Sequence, residues 1–347
     1  MGFTAEYSLF LAKSVTLVVV ILGIVVFIVN QRSKTKQSPG ELLIRDPGKE
    51  FEQLQKRLEQ ALVDPSAQKQ WRKTQKQNEK ARLKEEKANA KAGSTPTKSV
   101  LFLLNFKGSM DAHEVETLRK EVSAVLSVAK PGDEVLLKLE SPGGVVHGYG
   151  LAASQLQRIR DKGLTLTAVV DKVAASGGYM MACVANHIVA APFSIIGSIG
   201  VVAQIPNIHR LLKKNDIDVE LHTAGQYKRT LTMLGENSEE GREKFRQDLD
   251  ETHQLFKSFV AEMRPSLDIN SVATGEHWYG KQALEKGLID EIATSDALII
   301  SKMQQFRLLS LCYTRRKTVM ERFTQSGATV FEKAILKLWQ RGQKPLL

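Results

Sequence analysis

Leu164-Thr-Leu-Thr-Ala-Val-Val-Asp-Lys-Val-Ala-Ala-Ser-Gly-Gly-Tyr-Met-Met-Ala-Cys-Val-Ala185 joins a β-rich run to an apolar run of small residues that reads as a buried helix. Ser176 therefore falls where a strand turns sharply into a helix. The two glycines behind it let a neighbouring backbone come close, and a helix start leaves backbone N–H groups without intrahelical partners. A serine in that place can present its hydroxyl to a substrate carbonyl, while the N–H of Gly177 helps to hold an oxyanion. The stretch departs from the G-x-S-x-G elbow, because Ala174 stands where the first glycine belongs. A small residue packed at a tight strand–helix junction would produce the same local pattern.

On either side, the same rhythm of strand and helix continues. The folded domain begins at Ser99, and Val100 to Phe106 reads as a buried strand. Ala112 to Ala129 has helical spacing through Val115, Leu118, Val122 and Leu126, and Pro131-Gly-Asp ends it. Glu134 to Leu139 reads as a strand, Tyr149 to Ile159 as a helix, and His187 to Ala191 as another strand. Alternation of this kind means an α/β fold with a mostly parallel sheet covered by helices on both faces. Ala182 to Pro206 is apolar enough to suggest a membrane segment. Its polar residues Asn186, His187, Ser194 and Ser198, and its breaks at Pro192, Gly197 and Gly200, point instead to a buried strand and turn.

Two further stretches carry chemistry. Glu140-Ser-Pro-Gly-Gly144 ends a strand in a tight turn whose glycines allow backbone N–H groups to point outward, as an oxyanion hole or a clamp for an extended peptide requires. Thr223-Ala-Gly-Gln-Tyr-Lys-Arg-Thr-Leu-Thr232 follows a predicted strand, Val219 to His222. A lysine ammonium packed in an apolar site gives up its proton more readily, so Lys228 could serve as a general base where most lysines are solvated surface residues. A serine activated by a lysine is a known substitute for the serine–histidine pair. The rival triad takes His187 and Asp171, the histidine and aspartate nearest to Ser176 in sequence.

Ser141-Pro-Gly-Gly144, Val173-Ala-Ala-Ser-Gly-Gly-Tyr179, Gly197-Ser-Ile-Gly-Val201 and Thr223-Ala-Gly-Gln-Tyr-Lys-Arg-Thr230 occur in the order found in the signal peptide peptidase A (protease IV) family, which the chain resembles. Gly275-Glu-His-Trp-Tyr-Gly280 and Ala283-Leu-Glu-Lys-Gly-Leu-Ile-Asp290 resemble the family's closing region. The resemblance implies a ClpP/crotonase-like fold and a Ser–Lys endopeptidase without a cofactor. It assigns Ser176 as nucleophile and Lys228 as general base. Gly143 or Gly144, with Gly177, would supply oxyanion N–H groups, and Ser198 would orient the lysine, although plain turn chemistry also accounts for Ser198. The larger members carry two copies of the domain and share the dyad between them. This chain shows no internal repeat, so a ring of protomers sharing Ser176 and Lys228 is implied. Substrates would be signal-peptide remnants and other unfolded or membrane-released polypeptides. Acyl-CoA chemistry on the same fold, which needs neither Ser176 nor Lys228, and a non-catalytic membrane scaffold are the competing readings.

The flanks of the domain have their own logic. Leu9 to Val29 is an apolar run with Lys13 as its only charge, about the ~20 residues that a bilayer helix needs. Glu6 ahead of it and the lack of an A-x-A-like site after Val29 favour an uncleaved anchor over a signal peptide. A transmembrane helix (1–30) followed by a charged helical arm and linker (31–98) is therefore predicted, then the peptidase domain (99–300) and a basic helical extension (301–347). Arg32, Lys34 and Lys36 favour a cytoplasmic domain by the positive-inside rule, whereas the resemblance favours the periplasmic face of a bacterial inner membrane. In the arm, Phe51, Leu54, Leu58 and Leu62 share one helical face. The net charge of +11 owes much to the Lys-, Gln- and Glu-rich run 68–91, where only Trp71 could stack on a base, so no nucleic-acid partner is expected. Two cysteines, Cys183 and Cys312, in apolar contexts read as helical, and seven scattered histidines give neither a disulfide framework nor a metal site.

Overall fold

The computed structural model describes residues 40–91 and 98–314, together with Lys13 and Thr16. Apart from those two residues the expected anchor lies outside the described residues, as do the linker 92–97 and the chain beyond 314. Among the described residues no helix is long and apolar enough to cross a membrane. The folded unit is Leu42–Tyr313; a second unit, residues 1–41 and 314–347, falls almost wholly outside the description.

A seven-stranded sheet forms the centre. Its strands are β1 (Glu41–Arg45), β2 (Val100–Lys107), β3 (Glu134–Glu140), β4 (Thr165–Val170), β6 (His187–Ala190), β9 (Glu291–Ile292) and β10 (Arg307–Thr314). They lie in the order β1-β10-β2-β3-β4-β6-β9. From β10 to β9 every neighbouring pair is parallel. The period of two explains why these strands read as continuous apolar runs. Phe102, Leu104, Val135, Leu137, Leu166 and Ala168 point to one face and join the larger core. Leu101, Leu103, Leu136, Val169 and Val189 point to the other and meet Leu298, Ile299 and Met303 of a C-terminal helix. Both faces are thus dry, as a parallel sheet with crossover helices demands, and each fully buried Leu or Val contributes on the order of 1.5–3 kcal/mol.

The helices α3 (Val115–Val128), α4 (Val146–Asp161) and α5 (Gly177–Ala182) cover the larger core with Leu118, Val122, Leu156, Ile159 and Met181, all essentially without solvent contact. Helix α7 (Glu239–Met263) adds Phe256 and Val260, and α10 (Ser295–Lys302) closes the opposite face. In sequence the short helix α6 (His209–Lys214) precedes α7, and the short helices α8 (Ile269–Val272) and α9 (Gly280–Glu285) lie between α7 and α10. A small second sheet, β5-β7-β8, is built from β5 (Val173–Ala175), β7 (Ile195–Gly197) and β8 (His277–Tyr279). Ser141 at the end of β3 bridges to Ala174 in β5, which ties the two sheets together beside Ser176. The loops after β2, β3 and β4 leave at the same end of the sheet, where parallel α/β folds build their sites.

The arm forms two helices, α1 (Pro47–Leu62) and α2 (Gln68–Lys91). Pro47 and an N-cap bond from Lys49 N–H to the Asp46 carboxylate start α1, whose Phe51, Leu54, Leu58 and Leu62 remain exposed. Three expectations need correction. Residues 307–314 form β10, which pairs with β2 inside the sheet instead of continuing a helical extension, so Cys312 is an exposed strand residue. Residues 41–45, expected in the arm, form the edge strand β1. Residues 219–222 are no strand: Val219 and Leu221 are exposed, and β-propensity without a partner does not hold a strand.

Candidate active site

Ser176 is the N-cap of α5 but does not cap it with its side chain; it has φ 51° and ψ −120°. A non-glycine residue in that region costs about 1–3 kcal/mol and persists only where its surroundings hold it. Here Ser176 N–H donates to Gly197 O at 2.8 Å, and Met180 N–H donates to Ser176 O at 3.0 Å. Before the serine, Ala175 N–H donates to Ser141 O at 3.0 Å. The backbone is pinned on three sides, and the hydroxyl is released from helix capping to face a cleft of about 820 Å3.

The expected turn closes on this serine. Gly143 has φ +89°, and a Cβ there would stand 2.7 Å from Ser176 Cβ and 2.8 Å from Gly177 N, so only glycine fits. A Cβ on Gly177 would collide with the ring of Tyr149, and one on Gly144 with the Met110 carbonyl. Gly143 N–H donates to Ser141 Oγ at 3.1 Å. Among the described residues, Gly144 N–H and Gly177 N–H have no acceptor. Ser198 follows Gly197 in the adjoining turn, also at positive φ (53°), and its N–H donates to Glu276 O at 2.7 Å. Ser176, Gly143, Gly144, Gly177 and Ser198 all line the one cleft.

Lys228 does not join them. It is exposed in an irregular segment, and among the described residues no lysine lines the cleft. Between Val202 and Leu234 the same part of the chain exposes a run of apolar side chains, among them Ile208, Leu211, Ile217, Leu221 and Met233. The rival triad is not assembled. Asp171 accepts from Ser295 Oγ (2.6 Å) and Ser295 N–H (2.8 Å), capping α10. His187 faces Glu291 at 3.1 Å. A second Ser–His–Asp grouping, Ser109, His113 and Asp111, has the wrong connectivity, because serine and aspartate both meet the same Nδ1 at 3.0 Å.

The far wall comes from α7, which the sequence reading left out. Thr252, His253, Leu255 and Phe256 line the cleft with Met180 and Val146. His253 Nε2 lies 3.3 Å from Ile199 O; since a carbonyl only accepts, that nitrogen carries the proton. His253 is the sole ionisable side chain of the lining among the described residues. An N-cap Ser238 with Glu239 and Glu240 in the first turn, and helical periodicity around Phe256 and Val260, mark α7 in the sequence, but neither says which cleft the helix borders. No His, Cys, Asp or Glu cluster suited to a metal occurs among the described residues. Met110, Val145, Val146, Met180, Leu255 and Phe256 make much of the lining apolar, which suits an extended apolar chain with its carbonyl at Ser176.

Residues 2–156 match the N-terminal region of peptidase family S49, and residues 158–309 match peptidase family S49 itself. The chain is 52% identical over 320 residues to Probable protease SohB of Haemophilus influenzae, covering 91% of each chain. It is 62% identical over 242 residues to Probable protease SohB of Buchnera aphidicola subsp. Acyrthosiphon pisum, covering 70% of this chain and 72% of that one. With the same-named protein of Buchnera aphidicola subsp. Schlechtendalia chinensis it shares 53% over 305 residues, 87% of this chain and 100% of the other.

Proposed function

The chain belongs to peptidase family S49, a family of proteases, and on that premise we propose that it is a membrane-anchored serine endopeptidase with a Ser176–Lys228 dyad. The observation that carries the reading is the backbone of Ser176, held at φ 51° with its side chain unused by the helix it starts. In the proposed reaction Lys228, as the neutral amine, takes the hydroxyl proton while Ser176 Oγ attacks the scissile carbonyl. The C–N bond then breaks, the proton passes to the leaving amine, and water releases the acyl group from Ser176. Gly177 N–H and a N–H of the 143–144 turn hold the oxyanion; Gly144 suits this better, since Ser141 already engages Gly143. Ser198 orients the lysine.

Because Lys228 is exposed and the cleft lacks a lysine among the described residues, the base in this reading comes from a neighbouring protomer in a closed ring. The exposed apolar run 202–234 supports such packing. Substrates are extended polypeptides, signal-peptide remnants among them, and the apolar cleft wall supports that class. The run Leu9–Val29 is the proposed anchor in a bacterial inner membrane. Protease accessibility of the domain in intact spheroplasts distinguishes a periplasmic from a cytoplasmic placement.

The test is hydrolysis of casein and of a signal peptide by the purified full chain. Ser176→Ala and Lys228→Ala should each abolish turnover while keeping the thermal midpoint of the parent. Lys228→Arg should be equally inactive, because a guanidinium does not give up its proton. Near-parental turnover in Lys228→Ala would remove the lysine from the mechanism, and no Ser176-dependent cleavage by the parent would sink the peptidase reading.

A further inference from the structure

Tyr149 lies on α4, fully buried, and touches the candidate site only from behind. Its hydroxyl contacts Ser141 Oγ at 2.6 Å and Ser109 O at 2.9 Å. The directions of these bonds are fixed by chemistry. Ser109 O is a carbonyl and only accepts, so Tyr149 must give it the phenolic proton. Tyr149 Oη then accepts the proton of Ser141 Oγ, and Ser141 Oγ in turn accepts Gly143 N–H at 3.1 Å. One buried chain thus runs from Gly143 through Ser141 and Tyr149 to the loop after β2.

The ring does a second job. The place where a Cβ of Gly177 would sit is filled by Tyr149 Cγ, with its Cβ and Cδ2 each 2.7 Å away. Gly108 is likewise a glycine because the Tyr149 hydroxyl and Ser141 Oγ, the latter 2.8 Å away, occupy its Cβ position. The face of one side chain therefore supports Gly177, while its tip, through Ser141, sets the pitch of the 143–144 turn. These are the two backbone segments that must aim N–H groups at one oxygen.

We propose that Tyr149 is a positioning residue that sets the spacing of the two oxyanion donors, its ring fixing the Gly177 side and its hydroxyl, through Ser141, fixing the Gly143–Gly144 side. The inference rests on the oxyanion reading of those glycines given above. Such a residue acts on the transition state more than on substrate binding, because the donors are aimed at where charge develops.

The experiment compares Tyr149→Phe, Ser141→Ala and the double variant with the full-length parent. Each is assayed with a quenched fluorescent peptide that the parent cleaves, with a peptide aldehyde that forms a hemiacetal on the serine, and with a non-cleavable amide of the same sequence. Tyr149→Phe keeps the ring under Gly177 and removes only the hydroxyl. The expected result is a kcat loss of roughly 10–100-fold, a fraction of what deleting a whole oxyanion donor costs, with KM within about twofold. Aldehyde affinity should fall in parallel with kcat/KM while amide affinity holds. The double variant should lose no more than the worse single one, since both substitutions cut the same chain. Ser141→Ala decides the matter should Tyr149→Phe not fold, and unfolding of both would assign the chain to stability and overturn the proposal. So would an unchanged kcat in folded variants, equal losses of aldehyde and amide binding, or multiplicative losses in the double variant. A parent without Ser176-dependent cleavage would instead remove the underlying reading, whatever the variants do.

Discussion

Ser176 and Ser198 are non-glycine residues held at φ 51° and 53° in adjoining turns, and the hydrogen bond from Ser176 N–H to Gly197 O joins those turns. Of the four non-glycine residues at positive φ among the described residues, Ser176 and Ser198 line the cleft and Ala112 and Asp216 do not, so the strain bears on the site where it coincides with the cleft. A second residue shows the opposite bargain, away from the site. Glu121 on α3 is 3% exposed, and burial pushes its carboxyl from 4.5 up to about 7, against a single opposing bond from Tyr313 N–H. The folded protein therefore holds a proton there, between those two values, that the unfolded chain has lost. Glu121's contribution to stability is complete below about pH 4.5 and is lost as pH rises through about 7, on the order of 3 kcal/mol in all. Glu121→Gln keeps an acceptor for Tyr313 N–H and removes the charge. Urea unfolding at pH 5 and pH 8 should show the parent losing stability at the higher pH, and the Gln variant losing much less of it. Equal pH dependence in the two would show that Glu121 carries no buried charge.

The elements that build the site were legible because their signals are local. Continuous apolar runs mark β2, β3, β4 and β6, Pro131-Gly132 marks the break between α3 and β3, and the glycines at 143, 144, 177 and 197 mark turns where the structure has no room for a Cβ. Illegible were the features that depend on distant partners. Residues 307–314 become a strand by pairing with β2, a partner far away in sequence, whereas residues 219–222 pair with no strand among the described residues. The place of α7 is equally non-local. Phe256 and Val260 seat it, and Arg264 at its end donates to Asp290 through two bonds of 2.7 and 2.9 Å and to Gly287 O at 3.0 Å. Asp290 also accepts Ile188 N–H at 2.8 Å, so the pair couples the helix end to β6. The Arg264 side chain is only 10% exposed, and removing it strands a half-buried carboxylate. Arg264→Ala should cost about 3 kcal/mol in urea unfolding, with Arg264→Lys recovering only part, because an ammonium cannot make the paired contact. Arg246→Ala, which breaks exposed pairs on the same helix, should leave the midpoint where it was. An Arg264→Ala midpoint equal to the parent's would mean that Phe256 and Val260 alone dock the helix.

At the scale of the whole molecule, one protomer offers a serine in a cleft without a lysine, and a lysine outside on an exposed apolar segment. If catalysis needs both, the assembly has to unite them, and the consequence is open to a test that no single-chain dyad would pass. Ser176→Ala and Lys228→Ala proteins should each be inactive alone, but a mixed ring would contain interfaces where the intact Ser176 of one protomer meets the intact Lys228 of the next. By random mixing at equal amounts about a quarter of the interfaces are of this kind. Co-assembled variants should therefore regain up to about a quarter of the parental specific activity. Dilution below the assembly constant should lower activity in both the mixture and the parent, since the site is lost with the interface. The control is a mixture of Ser176→Ala with itself tagged, which has no intact serine and must stay dead. Mixed oligomers verified by mass, yet showing no hydrolysis, would return the dyad to a single chain. Lys228 would then have to reach Ser176 by movement of its own segment, and the apolar run 202–234 would lose its catalytic reason for meeting a neighbour.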